Sequence, residues 1–197
     1  MEIYSILIAT CASFIAGIVD AIAGGGGTIT MPVLLLLGLP PHIALGTNKL
    51  SSTTGTGAAA WTYLRGGVLK IGAYRWSVLL AGIGGVLGAL LAHLIPAQEF
   101  EKIIGIAVIL LSLYYLCSPR IGALTLAKSP APHILPTACL GIGTYDGILG
   151  PGTGAFYNTA LIKIQGLNFL EATAVTKVLN LMSNASALVI FLSLIHI

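Results

Sequence analysis

The chain is built from long, nearly uninterrupted apolar runs separated by short polar patches. A helix needs roughly 20 apolar residues to cross the hydrocarbon of a bilayer. Five such segments stand at 3–38, 42–64, 76–95, 98–117 and 134–165, and a sixth runs from 172 to the end. The first and fifth are too long for one ordinary span. Each is interrupted near its middle by glycines, at Gly24, Gly25, Gly26 and Gly27 in one and at Gly150, Gly152 and Gly154 in the other. Each therefore predicts a hairpin or a broken helix. The runs lack the period-two alternation of a membrane barrel strand. The expected fold class is all-α, a polytopic transmembrane helical bundle.

Small residues cluster at Ser51, Ser52, Thr53, Thr54, Gly55, Thr56 and Gly57 and at Gly82, Gly84, Gly85 and Gly88, where close backbone approach between helices is expected. Orientation follows from Lys and Arg in the short loops. The loop at 65–75 carries Arg65, Lys70 and Arg75, and the loop at 118–133 carries Arg120 and Lys128. Both are placed in the cytoplasm, and the turn at 95–102, with Glu99 and Glu101, on the other side. Trp61, Tyr63 and Trp76 flank the first loop as interfacial anchors.

Composition agrees with this pattern. Of 197 residues, 56% are hydrophobic and 8% charged, against about 25% charged in soluble domains; mean hydropathy is +0.98. A formal charge of +3, scattered along the chain, excludes the basic stripe of a nucleic-acid binder. Cys11, Cys117 and Cys139 sit in apolar stretches without metal-ligand spacing, so they predict neither a disulfide framework nor a zinc site. No GxxxxGK[ST] loop is present and no cofactor is expected. The first apolar run follows Glu2 rather than a basic segment and no A-x-A site ends it, so a cleavable signal is not expected.

The chain also repeats itself. At an offset of 126, Gly17, Asp20, Ile22, Gly24 and Gly26 fall on Gly143, Asp146, Ile148, Gly150 and Gly152. After a two-residue slip, Gly38, Leu39, Ala44, Lys49 and Ala59 fall on Gly166, Leu167, Ala172, Lys177 and Ala187. Glycine and alanine matches come easily in such a composition, but Asp20 and Asp146 are the only aspartates in the chain. Three spans separate the copies, so a hairpin-like first segment places the second copy upside down, whereas a single crossing leaves the copies parallel. Lys163 at the end of the fifth segment favours the hairpin. Inverted repeats with interrupted helices are a recurring plan of secondary transporters, with substrate held where the breaks meet.

The chemistry concentrates around those breaks. Each glycine run is followed by a short helical piece, at 28–37 and 155–164, whose N-terminal amides and dipole suit an anion. Lys49 and Lys177 lie inside apolar segments, where an ammonium must snorkel, pair or face water. One reading has them supply charge to an anion in a central cavity; snorkelling is the alternative. Asn48 neighbours one lysine, and Lys177, Asn180 and Asn184 share a helix face. Thr153 joins the second glycine run. Asp20 and Asp146 either carry a proton or fix the breaks by capping a half-helix or pairing with a lysine. His42, His93 and His133 mark interfaces or loops rather than chemistry.

From Gly17 to Arg65 the chain reads GIVDAIAGGGGTITMPVLLLLGLPPHIALGTNKLSSTTGTGAAAWTYLR, and this stretch resembles the first repeat of the sulfite exporter TauE/SafE family of membrane transporters. GTYDGILGPGTGAFYNTALI, continuing through ATAVTKVLNLMSNASALVIF, resembles the second. The resemblance implies a multi-pass inner (plasma) membrane carrier of small anions, with sulfite, sulfoacetate and related organosulfur compounds as the substrate class. The second repeat lacks counterparts of spans 76–95 and 98–117, and the chain stops at Ile197 inside an apolar run, as a fragment would. The expected organisation is a first transmembrane repeat at 1–117, a cytoplasmic loop at 118–133 and an incomplete second repeat at 134–197.

The leading expectation is alternating-access transport of a small anion, with Gly24, Gly25, Gly26, Gly27, Asn48, Lys49, Gly150, Gly152, Thr153, Gly154, Lys177, Asn180 and Asn184 binding it. The alternatives are a passive anion channel, or a structural or enzymatic membrane protein; no recognisable nucleophile or metal set favours an enzyme. The expected partners are the small anionic substrate and the lipid bilayer, with no nucleic acid, and with homo-oligomer formation left open.

Overall fold

The computed structural model describes residues 3–67, 71–117 and 133–195. Lys70, Arg120 and Lys128, on which part of the orientation argument rests, lie outside the described residues, as do the Cys117 side chain and all of the 118–133 loop except His133. The fold is all-α, without a strand among the described residues. The helices are α1 (Ile3–Ala23), α2 (Gly27–Leu36), α3 (Pro41–Arg65), α4 (Arg75–His93), α5 (Ala97–Cys117), α6 (Leu135–Ile148), α7 (Thr153–Ala160) and α8 (Phe169–Ile195). A 3-10 turn at Ile71–Tyr74 leads into α4, and a π turn at Leu161–Gln165 ends the run of α7. The two overlong apolar segments are thus the pairs α1–α2 and α6–α7, each split at its glycines.

Among the described residues, Ile3–Ile22, Ile71–His93 and Phe169–Leu194 are long and apolar enough to cross a membrane. At 25 residues α3 has the length of a span, but its Ser, Thr, Asn and Lys content makes it more polar. It buries Asn48, Lys49 and Thr56 against the protein.

Two apolar clusters organise the bundle. One gathers Leu34, Ala44, Leu45, Ala89, Ala92, Phe100, Ala187 and Phe191. The other gathers Ala81, Leu135, Cys139, Tyr157, Leu161, Ile162, Ala172 and Val175. Both α4 and α8 run from the second cluster to the first, and α3 starts in the first. Leu135 opens α6 and Ile162 follows α7, yet both sit in the second cluster, so α6–α7 returns to the end where it began. Between the clusters lies a layer of buried polar residues that includes Asn48, Lys49, Asp146, Asn180, Ser183 and Asn184.

Helix contact depends on missing side chains, as expected where lipid removes the hydrophobic drive for helix association. α4 packs along α6 and α8. A Cβ on Gly147 would stand 2.7 Å from the Gly88 Cα, and one on Gly88 would stand 2.7 Å from the Gly147 Cα. Gly85 meets α8, where its Cβ would come 2.5 Å from Ser186 Oγ. The small-residue run of α3 behaves differently: Gly57 touches Leu181 loosely and Gly55 has nothing within 4 Å. Close approach therefore holds along α4 but not throughout 51–57.

Many outward-facing positions are large and apolar, among them Leu7, Phe14, Ile109 and Val189. Only 11% of the α1 span is buried inside the protein, against 44% for Ile71–His93 and 50% for Phe169–Leu194. Trp61 and Trp76 are exposed at the ends of α3 and α4, with Arg65 stacked 4.7 Å from the Trp61 ring and Arg75 5.6 Å from the Trp76 ring. This pairing of aromatic and cation suits a membrane–water boundary.

Candidate site at the two helix breaks

In the first break Asp20 caps the reversal. Its backbone carbonyl accepts from Gly24 N at 2.9 Å and its Oδ1 from Gly26 N at 3.2 Å. Gly24 takes φ +77°, a left-handed conformation that costs an L-residue about 1–2 kcal/mol. The chain then turns back beside α1, since a Cβ on Gly26 would lie 2.8 Å from the Ala16 carbonyl oxygen. The second break uses Gly150 at φ +89° and Gly152 at φ +76°. Thr153 opens α7 and donates from its hydroxyl to Gly150 O at 2.8 Å and to Asp146 Oδ1 at 3.0 Å. The Tyr145 hydroxyl donates to Pro151 O at 2.7 Å.

These two turns lie against each other. A Cβ on Gly24 would stand 2.7 Å from the Gly154 Cα and 3.3 Å from the Ala155 N, and one on Gly27 would stand 3.4 Å from the Pro151 Cα. Asn48 Nδ2 reaches both, 3.4 Å from the Cβ positions of Gly27 and Gly150. Irregular backbone at membrane depth is tolerable where it is enclosed by protein; Gly24, Gly26, Gly27, Gly150 and Gly154 have close neighbours, and Gly152 is buried. Gly25 is looser, with Thr28 Oγ1 at 3.8 Å.

The lysines and aspartates pair crosswise between the two halves of the chain. Lys49 of α3 meets Asp146 of α6 at 2.8 Å, and Lys177 of α8 stands 3.7 Å from Asp20 of α1. Both lysine side chains are 0% exposed, so neither snorkels. An ammonium has three donors, and Lys49 commits them to Asp146 O, to Asp146 Oδ1 and to Asn184 Oδ1 at 3.1 Å. Asp146 also accepts from Ser183 Oγ at 2.5 Å. Lys177 donates to the Asp20 backbone carbonyl. The aspartates therefore both fix the breaks and neutralise the lysines. Each buried charge has an opposite one beside it, which is the condition under which ionised groups persist in a low-dielectric interior.

Around the pairs, Asn184 Nδ2 donates to Asn180 O at 2.7 Å and to Asn180 Oδ1 at 2.9 Å. Asn180 and Asn184 are buried on the α8 face that carries Lys177. Sequence reasoning missed Thr30, hydrogen-bonded to Asn48, and Asn158, which donates to Thr173 Oγ1 at 3.1 Å. A signal was available, because Thr30 and Asn158 fall on each other at the offset that aligns Lys49 with Lys177. The histidines stand apart from this site. His42 stacks on Phe100 at 5.0 Å and lies 6.2 Å from His93, and His133 is exposed beside the start of α6.

The sequence model described as "Sulfite exporter TauE/SafE" matches residues 9–197. The chain is 40% identical over 182 residues to a probable membrane transporter protein, ORF9, of Sinorhizobium, a match that covers 92% of this chain and 70% of the relative. A probable membrane transporter protein of Haemophilus influenzae is 36% identical, over 92% of this chain and 72% of its own length. The probable membrane transporter protein YfcA of Escherichia coli K12 is 35% identical, over 91% and 67% respectively. No solved structure matches the chain.

Proposed function

Because the chain belongs to the sulfite exporter TauE/SafE family of membrane transporters, we propose that it is a multi-pass carrier of the inner (plasma) membrane that moves a small sulfur oxyanion, sulfite, sulfoacetate or a related compound, by alternating access. The observation that carries this reading is the contact of two glycine breaks inside a buried polar layer crossed by two lysines. In this reading the halves are inverted repeats. Gly24, Gly25, Gly26 and Gly27, with Gly150, Gly152, Thr153 and Gly154, give the moving backbone and its amides. Lys49 and Lys177 supply positive charge once their aspartates are displaced, and Asn48, Asn180 and Asn184 supply hydrogen bonds. Paired breaks allow alternation because each hairpin can shift against the helices packed on it without exposing unsatisfied backbone to lipid. The relatives are named as transporters, and the reading involves no enzymatic step.

The test is flux of radiolabelled sulfite and sulfoacetate into liposomes holding the 197-residue chain. Saturable flux with countertransport is expected, and its loss in the Lys49→Met, Lys177→Met double variant. Unchanged flux in that variant removes the lysines from the mechanism. Current proportional to driving force without saturation establishes a channel instead.

A further inference from the structure

The two crossed pairs are unequal. Asp146 is 1% exposed and its carboxylate holds Lys49, Thr153 and Ser183 at once. Asp20 is 15% exposed, with one backbone donor on Oδ1 and Lys177 at 3.7 Å from Oδ2, beyond direct hydrogen-bond reach. A cavity of about 20 Å³ lies beside Asp20, walled by Gly26, Thr30, Ser51, Ser52 and Gly55. The repeat supplies the reason for the difference: at the offset that lays Lys49 on Lys177, Ser183 falls on Gly55. The position of the hydroxyl that seals Asp146 is thus a glycine in the other half of the chain.

We propose that Asp20 holds the place of the transported anion, that substrate takes its position at Lys177 and the Gly26 amide when a proton neutralises Asp20, and that one proton therefore travels with each anion. The inference rests on the carrier reading above and assigns its coupling ion. An amide at the start of α2 and a buried ammonium are the donors that a sulfonate or sulfite oxygen needs; the Asp20 carboxylate accepts from the amide and stands 3.7 Å from the ammonium. Two anions in one such site repel each other. Protonation of Asp20 leaves Lys177 buried without a counter-charge, and an incoming anion restores the balance.

Among the described residues, Lys177 from α8 is the charged group on Asp20. The walls from α2 and α3 contribute Gly26, Thr30, Ser51, Ser52 and Gly55, none ionisable. From α7, Gly154 and Ala155 meet α1 at Gly24. The cavity has room for about one water, so admission of an anion requires α1 to shift. That helix buries the least of the three long apolar ones, and a groove of about 400 Å³ lies between it and α3.

The experiment places the chain in liposomes with a pH-sensitive dye inside and applies an inward gradient of radiolabelled sulfoacetate, with sulfite in parallel. Sulfoacetate is the main probe because neither of its acidic groups titrates near neutrality, so a proton that moves with it is carried by the protein. The wild type is expected to acidify the lumen as sulfoacetate enters, with an apparent affinity that falls by up to about tenfold per pH unit on the alkaline side. Any sulfoacetate flux that Asp20→Asn retains is expected to move no protons, with an affinity that changes less than about twofold over the same pH unit, since no coupled proton remains. Sulfoacetate entry into the wild type without acidification overturns the proposal, and so does proton movement that persists in Asp20→Asn. Proton movement lost in Asp146→Asn with anion flux intact reverses the two roles and also overturns it. If Asp20→Asn does not fold, the wild-type measurement decides. Absence of both sulfite and sulfoacetate flux in the wild type sinks the carrier reading and this inference together, a result distinct from anion flux without protons.

Discussion

Asp146 collects three side-chain donors and is 1% exposed. Removing its charge strands Lys49, which is 0% exposed. Loss of one member of a buried pair costs about 3–5 kcal/mol, whereas replacement of both by apolar groups of similar volume is close to neutral. Asp146→Asn and Lys49→Met should therefore each lower the thermal unfolding midpoint in detergent, and Lys49→Met with Asp146→Leu should be more stable than either single variant. A double variant no better than the singles means that the pair is not acting as a charge pair. That Lys49 and Lys177 were special was legible from the sequence, because ammonium groups within apolar runs demand an explanation. Their partners were not, since pairing with Asp was one of several arrangements that the spacing allowed.

At the level of elements, the breaks depend on φ angles and on room, and the two can be separated. Gly24 has positive φ and packs on Gly154, whereas Gly105 in α5 has no neighbouring atom within 4 Å. Gly24→Ala adds about 1–2 kcal/mol of backbone strain to a clash with the Gly154 backbone, so sulfite flux should fall sharply. Gly105→Ala should leave both flux and stability at the wild-type level. Equal effects of the two substitutions count against a special role for the first break. The α4–α6 contact makes a parallel demand: Gly88→Leu drives a side chain into the Gly147 backbone. Overpacking of this kind costs about 1–3 kcal/mol or more and should reduce the yield of monodisperse protein on gel filtration. The sequence announced both glycine runs, but gave equal standing to Gly55, which faces open space. Composition counts small residues without saying which of them meet a neighbour.

Over the whole molecule, the return of α6–α7 to its starting end fixes a parity. Cysteines introduced at Arg65 and Lys163, in a chain free of Cys11, Cys117 and Cys139, should label from the same side of a membrane vesicle, and one at Gln98 from the other side. Labelling of the Arg65 and Lys163 positions from opposite sides rules out the inverted arrangement. Hydropathy alone determined that this chain belongs in lipid, that it is helical and where its helices break, because the cost of apolar surface in water and the conformational freedom of glycine are local properties readable along one dimension. Repetition further marked Asp20, Asp146, Lys49 and Lys177 as related positions. Only the tertiary structure decided that the pairs cross from one half of the chain to the other, over 157 residues between Lys177 and Asp20 and 97 between Lys49 and Asp146. It also decided that one pair is sealed and the other borders a cavity. Those outcomes depend on which helices pack together and on whether a serine or a glycine faces the carboxylate, and a charge buried among helices takes the partner that packing puts within reach, whatever its distance along the chain.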